Sequence, residues 1–173
     1  LYQNINQMNL FISRTLHTDV LTESARNYYL GQVYGLRAYY MYQLYRSWGD
    51  VVFTEEPSLG FEVGKLAKAA TPAAEIFEQV KKDIESSLSY FGSDYTIKEK
   101  KSLWSKAATL MLKADVYLWS AHRDGGEGDA RTAKNALVDI QNNISRSNLD
   151  LMDTYQGAVS YTHLRAHETE ADL

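Results

Sequence analysis

A chain of 173 residues with 45% hydrophobic content is long enough to bury one core, and its formal net charge of -4 leaves no basic footprint for a nucleic-acid backbone or an anionic leaflet. It holds no cysteine, which excludes disulfides, thiolate metal sites and thiol catalysis. No apolar segment approaches the ~20 residues of a membrane-spanning helix, and the start at Leu1 lacks a charged region followed by an apolar stretch, so further sequence is expected upstream.

The first helix is predicted from Tyr2 to about Leu16, with Ile5, Met8, Leu10 and Ile12 as its apolar positions; the asparagines and glutamines among them lower helix propensity. A second helix is predicted from about Glu23 to Ser47. Leu30, Val33, Tyr34, Met41, Leu44 and Tyr45 recur at helical spacing, and Tyr29, Leu36 and Tyr40 form a second apolar face. A helix apolar on more than one side must lie between neighbours, which points to a stacked helical array.

Gly49 is the expected helix stop, Val51 to Phe53 favours extended backbone, and Pro57 and Gly60 mark a loop that runs to Thr71. Thr71 and Pro72 open a third helix, with Thr71 as cap, Pro72 in the first helical position and Glu75 favourable to the dipole. It runs to about Tyr90 and buries Ile76, Phe77, Val80, Ile84 and Leu88, with Lys81, Lys82, Asp83 and Glu85 largely on the other side. A fourth helix, about Leu103 to Ala121, sets Ala107, Leu110, Met111, Ala114, Tyr117 and Leu118 on one side and Trp104, Leu112, Val116 and Trp119 on another. The glycines between Asp124 and Asp129 are expected to break the helix, with Asp129 capping a fifth from about Ala130 to Asn143 that packs through Ala133, Leu137 and Ile140.

Helices two and four share a pattern in which Gly31 matches Ala107 and Leu36-Arg37-Ala38 matches Leu112-Lys113-Ala114. Small residues at this spacing admit a close partner helix, the physical need behind tetratricopeptide-type hairpins, although the repeat is irregular.

Enzymatic chemistry requires titratable groups that converge, and the sequence offers no compelling set. Glu55-Glu56 precedes Pro57 and reads as a solvated loop, and no phosphate-binding glycine motif occurs. Asp124, Glu127 and Asp129 lack EF-hand spacing and are read as a turn with a cap, weak cation binding being the alternative. No cofactor is expected. His163 and His167, with Glu168 beside them, would share one helix face as metal ligands. That signal is read as false, because Val159 to Leu173 has no core-forming periodicity and Ser160 to Thr169 resembles translated sequencing-adaptor DNA on truncated reading frames. The domain division is therefore a helical domain over 1–158 and a non-native or disordered tail over 159–173.

Aromatic faces stack on the apolar faces of sugar rings, but most of these aromatics lie in helices. Trp104, Trp119, Tyr34 and Tyr117 are assigned to packing, while Trp48 and Tyr95, nearer to loops, are the ligand-binding candidates. Arg37 is read as a structural partner of Asp50 or of helix-end carbonyls.

Leu36-Arg37-Ala38-Tyr39-Tyr40 leading to Leu44, followed by Trp48-Gly49-Asp50-Val51, resembles the signature region of SusD/RagB-type nutrient-binding lipoproteins of Bacteroidota. A second block, Trp104 to Thr109 through Val116 to Ala121, the glycine-rich turn and Thr132 to Leu137, is similar to that family's next helical hairpin. The likeness spans about residues 2 to 155, in the family's order and approximate spacing; Val52 stands where the family usually has proline. The resemblance implies an all-α fold of irregular tetratricopeptide-like hairpins in an α-α superhelix, here truncated. It further implies a non-catalytic, cell-surface protein of the outer membrane, held by a lipid anchor on an upstream cysteine. Such a protein binds an oligosaccharide or polysaccharide and passes it to a SusC-like TonB-dependent transporter, with the helices forming much of the partner contact. Part of the usual ligand site is expected in a segment that follows this piece, and no family binding residue maps onto a motif position. The alternative is a tetratricopeptide-like adaptor that binds a protein partner and no glycan.

Overall fold

The computed structural model describes residues 1–60, 68–98, 102–147, 149, 154–157, 159 and 160. Among them run five α-helices: α1 (Tyr2–Leu16), α2 (Glu23–Trp48), α3 (Ala73–Phe91), α4 (Lys106–Ser120) and α5 (Gly126–Asn142). The Thr22 side chain accepts the Ala25 amide and opens α2, satisfying one of the donors that a helix start leaves unpaired. Gly49 closes the same helix at a φ of 71°, a left-handed conformation that side chains resist, and its amide bonds to the Tyr45 carbonyl.

The helices are organised as two neighbouring pairs. α2 lies along α3 and α4 along α5, while α1 packs on α2 and α4 on α3. The larger core cluster joins Ile5, Ala38, Met41, Tyr42, Ile76, Val80 and Val116 across α1 to α4; a smaller one joins Tyr95, Leu110, Ala114, Ala133 and Ala136 between α4, α5 and the segment after α3. The small residues of α2 admit aromatic side chains: Phe91 lies against Gly31, and the Trp104 indole lies against Gly35. Trp104 donates through Nε1 to Thr109 Oγ1 at 2.8 Å, Thr109 and Ser87 share a hydrogen bond of 2.9 Å, and Ser87 donates to the Gly31 carbonyl at 2.6 Å. A run of polar atoms between helices is thereby fully paired, as burial demands.

Several expectations are corrected. Thr71 does not cap α3, because its backbone is paired with Val51 in an antiparallel bridge; the Ala73 amide is instead accepted by Asp50 Oδ1 at 2.8 Å, and Pro72 stands just before the helix. The glycines after Asp124 do break the helical course, but one turn later than a plain stop: a π-turn, Ala121–Gly125, extends α4, and Gly126, at a φ of 54°, turns the chain into α5. Asp129 therefore lies in the first turn of α5 and not at its cap. α4 begins later than Leu103, with Ser105 accepting the Ala108 amide. Met111 and Leu118, assigned to packing, are exposed, while Leu110, Ala114 and Val116 fill the interior. Asp83 is fully buried rather than solvated, because Arg37 meets it across the α2–α3 interface.

Candidate functional site

The α2–α3 connection leaves Trp48 two-thirds exposed, at 65%, on the last residue of α2. Beside it opens an apolar cavity of about 530 Å³ with Leu1, Tyr2, Val51, Val52 and Ala70 in its walls. A second cavity, of about 320 Å³, also lined by Tyr2 and Val52, brings in Asn6, Asn9, Thr54, Ser58 and Lys68. Sharing Tyr2 and Val52, the two adjoin as one groove, with the Trp48 indole at one end, the Tyr2 phenol between, and amides, hydroxyls and an ammonium at the other.

Three elements hold this groove. α1 supplies Tyr2, Asn6 and Asn9, α2 supplies Trp48, and the extended segment after Gly49 supplies Val52 to Ser58. Below the groove lies a buried polar knot. Arg37 donates from Nε and Nη2 to the two oxygens of Asp83, both at 2.7 Å, and from Nη1 to Asn9 Oδ1 at 2.8 Å; Gln79 adds a bond to Asp83 at 3.0 Å. Burial alone would favour loss of the Arg37 proton, but the hydrogen bonds and charge of Asp83 outweigh it and raise the pKa above the ordinary arginine value. Arg37 is thus structural, as its sequence context implied, but its partner is Asp83 and not Asp50, whose carboxylate is occupied at the start of α3.

Glu55, in the loop beside the groove, is held below the usual carboxylate range, first by its hydrogen bond to Lys82 at 3.0 Å. A carboxylate kept ionised is a poor general acid at neutral pH. Among the described residues, no three histidine, aspartate or glutamate side chains converge as a metal site, the run Asp124 to Asp129 included. His163, His167 and Glu168 lie outside the described residues, as does nearly all of the 159–173 tail. What the groove can do is bind: aromatic faces with flanking hydrogen-bond donors and acceptors suit a ligand that has both apolar faces and hydroxyls.

The two sequence candidates are not brought together. Tyr95 lines neither cavity and is 8% exposed. Its hydroxyl donates to Asp139 Oδ1 at 2.6 Å, and Lys106 Nζ stands 3.7 Å from the ring centroid. Burial, then the bond to Asp139, pushes its pKa up to about 12. Tyr95 therefore fastens α5 to the segment that follows α3, a packing role. Trp104 and Tyr117 pack on the larger core, and Tyr34 stacks on Tyr90 with centroids 5.6 Å apart. Trp119 is at the edge, 36% exposed, with its ring set edge-on to Tyr42. Asn6, Asn9, Thr54 and Ser58 are site residues that sequence reasoning misses. Their signal is present in part: two asparagines, Asn6 and Asn9, stand three apart and so share one side of α1.

The chain matches the SusD-like protein P38 of Formosa agariphila at 34% identity over 113 residues, which cover 64% of this chain and 20% of that protein. Among solved structures it is similar to Bacteroides fragilis NanU, with 47% identity and a TM-score of 0.78 over 88% of this chain and 29% of that one. A SusD superfamily protein from Bacteroides vulgatus gives 44% identity and a TM-score of 0.77 over 88% and 30%. A laminarin-binding SusD-like protein, 19% identical with a TM-score of 0.65 over 76% and 27%, shares the fold alone. No family model matches. Identities of 47% and 44% carried over 88% of this chain, with TM-scores of 0.78 and 0.77, agree with the match to P38: this chain belongs to the SusD superfamily and spans less than a third of the length of the solved members it matches.

Proposed function

We propose that the protein containing this sequence binds glycans or related nutrients at the cell surface and passes them, without chemical change, to a SusC-like TonB-dependent transporter. A lipid anchor upstream would hold it on the outer membrane, and the helix pairs would form the scaffold for the transporter contact. The observation that carries the ligand half of this reading is the exposed indole of Trp48 beside an amide- and hydroxyl-lined groove, within a superfamily one of whose structures is described as laminarin-binding. Trp48 is assigned a stacking role toward a sugar ring.

The test is affinity electrophoresis of the full-length protein against a panel of neutral and acidic polysaccharides, with Trp48→Ala beside it. Retardation by at least one polysaccharide, weakened roughly 2- to 10-fold in the variant, is the outcome expected for loss of one aromatic contact. A wild-type protein retarded by none, with no transporter co-purifying, refutes the proposal. The adaptor alternative draws on the exposed Met111, Leu118 and Trp119 of α4, an apolar strip suited to a protein partner. It predicts co-purification of a protein with no retardation by any polysaccharide.

A further inference from the structure

Two of the three asparagines of α1, Asn6 and Asn9, lie one turn apart, and both reach the loop that forms the wall of the groove. Asn6 makes a two-point contact with one residue: its Oδ1 accepts the Ser58 amide at 2.7 Å, and its Nδ2 donates to the Ser58 carbonyl at 3.2 Å. Asn9, which is buried, donates through Nδ2 to the Thr54 carbonyl at 2.6 Å, while its Oδ1 is held by Arg37. Val52, Glu55, Glu56, Ser58 and Leu59 are all exposed, so apolar packing fixes little of this segment beyond Phe53. The antiparallel bridge of Val51 with Thr71 anchors only its beginning.

A side-chain amide offers one carbonyl and one N–H group side by side, as a peptide unit does. Asn6 thus pairs with both backbone groups of Ser58 as a neighbouring strand would, and Asn9 satisfies the Thr54 carbonyl. Asparagine is a poor choice for a helix interior on propensity grounds. Its use twice on the loop-facing side of α1 calls for a reason beyond the helix itself.

We propose that Asn6 and Asn9 are positioning residues that fix the 52–58 loop as one wall of the groove beside Trp48, so that the groove's shape is set from α1. That this wall faces a glycan rests on the function proposed above; that α1 sets its path does not. Asn9 also links the wall to the buried Arg37–Asp83 pair, so the loop is referred to the rigid centre of the helix stack.

Amide hydrogen exchange by nuclear magnetic resonance on the full-length protein tests this, with two variants that differ by atom. Asn6→Leu removes both contacts, whereas Asn6→Asp keeps an acceptor for the Ser58 amide and loses the donor. The Ser58 amide should exchange about tenfold faster in Asn6→Leu, the effect of one lost hydrogen bond, and remain close to wild type in Asn6→Asp. Amides of α2 and α3 should be unchanged in both. An unchanged Ser58 amide in Asn6→Leu, equal acceleration in both variants, or acceleration throughout α2 and α3 each overturns the positioning role. Polysaccharide retardation of the same variants supplies the second readout. Weakened retardation in Asn6→Leu supports the link to binding, and full retardation with a freed Ser58 refutes it. A wild-type protein that no polysaccharide retards, with the exchange pattern intact, defeats the glycan reading and leaves the positioning role standing.

Discussion

Gly35→Ala should destabilise the protein, although helix propensity alone predicts the reverse. Replacing a mid-helix glycine by alanine ordinarily gains about 1 kcal/mol. At this position the new methyl group would stand 2.8 Å from Cδ1 and Cε2 of Trp104, and closer still to Nε1, so the indole must leave its seat. Its departure breaks the bond to Thr109, costing about 1 kcal/mol, and forces misfit among packed groups, costing about 1–3 kcal/mol. The balance is a net loss of about 1–3 kcal/mol, or some 2–4 °C of melting temperature per kcal/mol for a domain of about this size. Urea unfolding followed by circular dichroism and tryptophan fluorescence measures it. The attribution to Trp104 is tested by a double-mutant cycle: in a Trp104→Leu background the Gly35→Ala cost should largely disappear. A Gly35→Ala protein as stable as wild type, or a cost that persists unchanged in the Trp104→Leu background, refutes the reasoning.

Arg37→Leu or Asp83→Leu alone should cost about 3–5 kcal/mol, since each leaves a charge buried without its partner, while the double replacement should recover much of the loss; urea titration of all three variants reads both effects. Tyr42 and Tyr95 are raised from 10.0 to about 12, each chiefly by burial, so the folded state holds these two protons more tightly than the unfolded state does. The stability they contribute is therefore intact below pH 10 and is lost as pH rises from about 10 to 12. Tyrosinate absorbance should show two late-titrating groups at about that upper value, and Tyr95→Phe should remove one of them and flatten the alkaline loss of stability.

The course of the helices is legible because their signals are local. Ile5 and Ile12, or Ile76, Val80 and Ile84, state which side of a helix is apolar, and Gly49 states where α2 must stop. Asp83 is misassigned by residue type alone: it falls on the same helical stripe as Ile76, Val80 and Ser87, and that geometry places it inside. The fact that makes its burial tolerable, Arg37, lies 46 residues upstream on another helix, and no local pattern announces it. Thr71 fails as a cap for a related reason, since backbone pairing with Val51 competes for the same stretch and Asp50 reaches the helix start first. In the groove, the exposure of Trp48 follows from its place at a helix end, whereas Tyr95, also near a loop, is drawn inward by Asp139 and Lys106. The asparagines of α1 lower the expectation of a helix because propensity scales describe a helix in isolation. Their bonds to Thr54 and Ser58 exist only once the backbone has turned back.

Asp50 and the pairing of Val51 with Thr71 give the junction of α2 and α3 a further property. The end of one helix and the start of the next are tied directly to each other, so their spacing does not depend on how many residues are threaded between 52 and 70. Lengthening a loop whose ends are already fixed is thermodynamically mild, about 0.6 kcal/mol for each doubling. Past Ser58, the last residue that α1 holds, the connection can accordingly change in length while the helical frame keeps its spacing. Insertions between Ser58 and Thr71 would give the same stack a new outer contour, with Trp48-Gly49-Asp50 as the hinge pin at which frame and connection are joined.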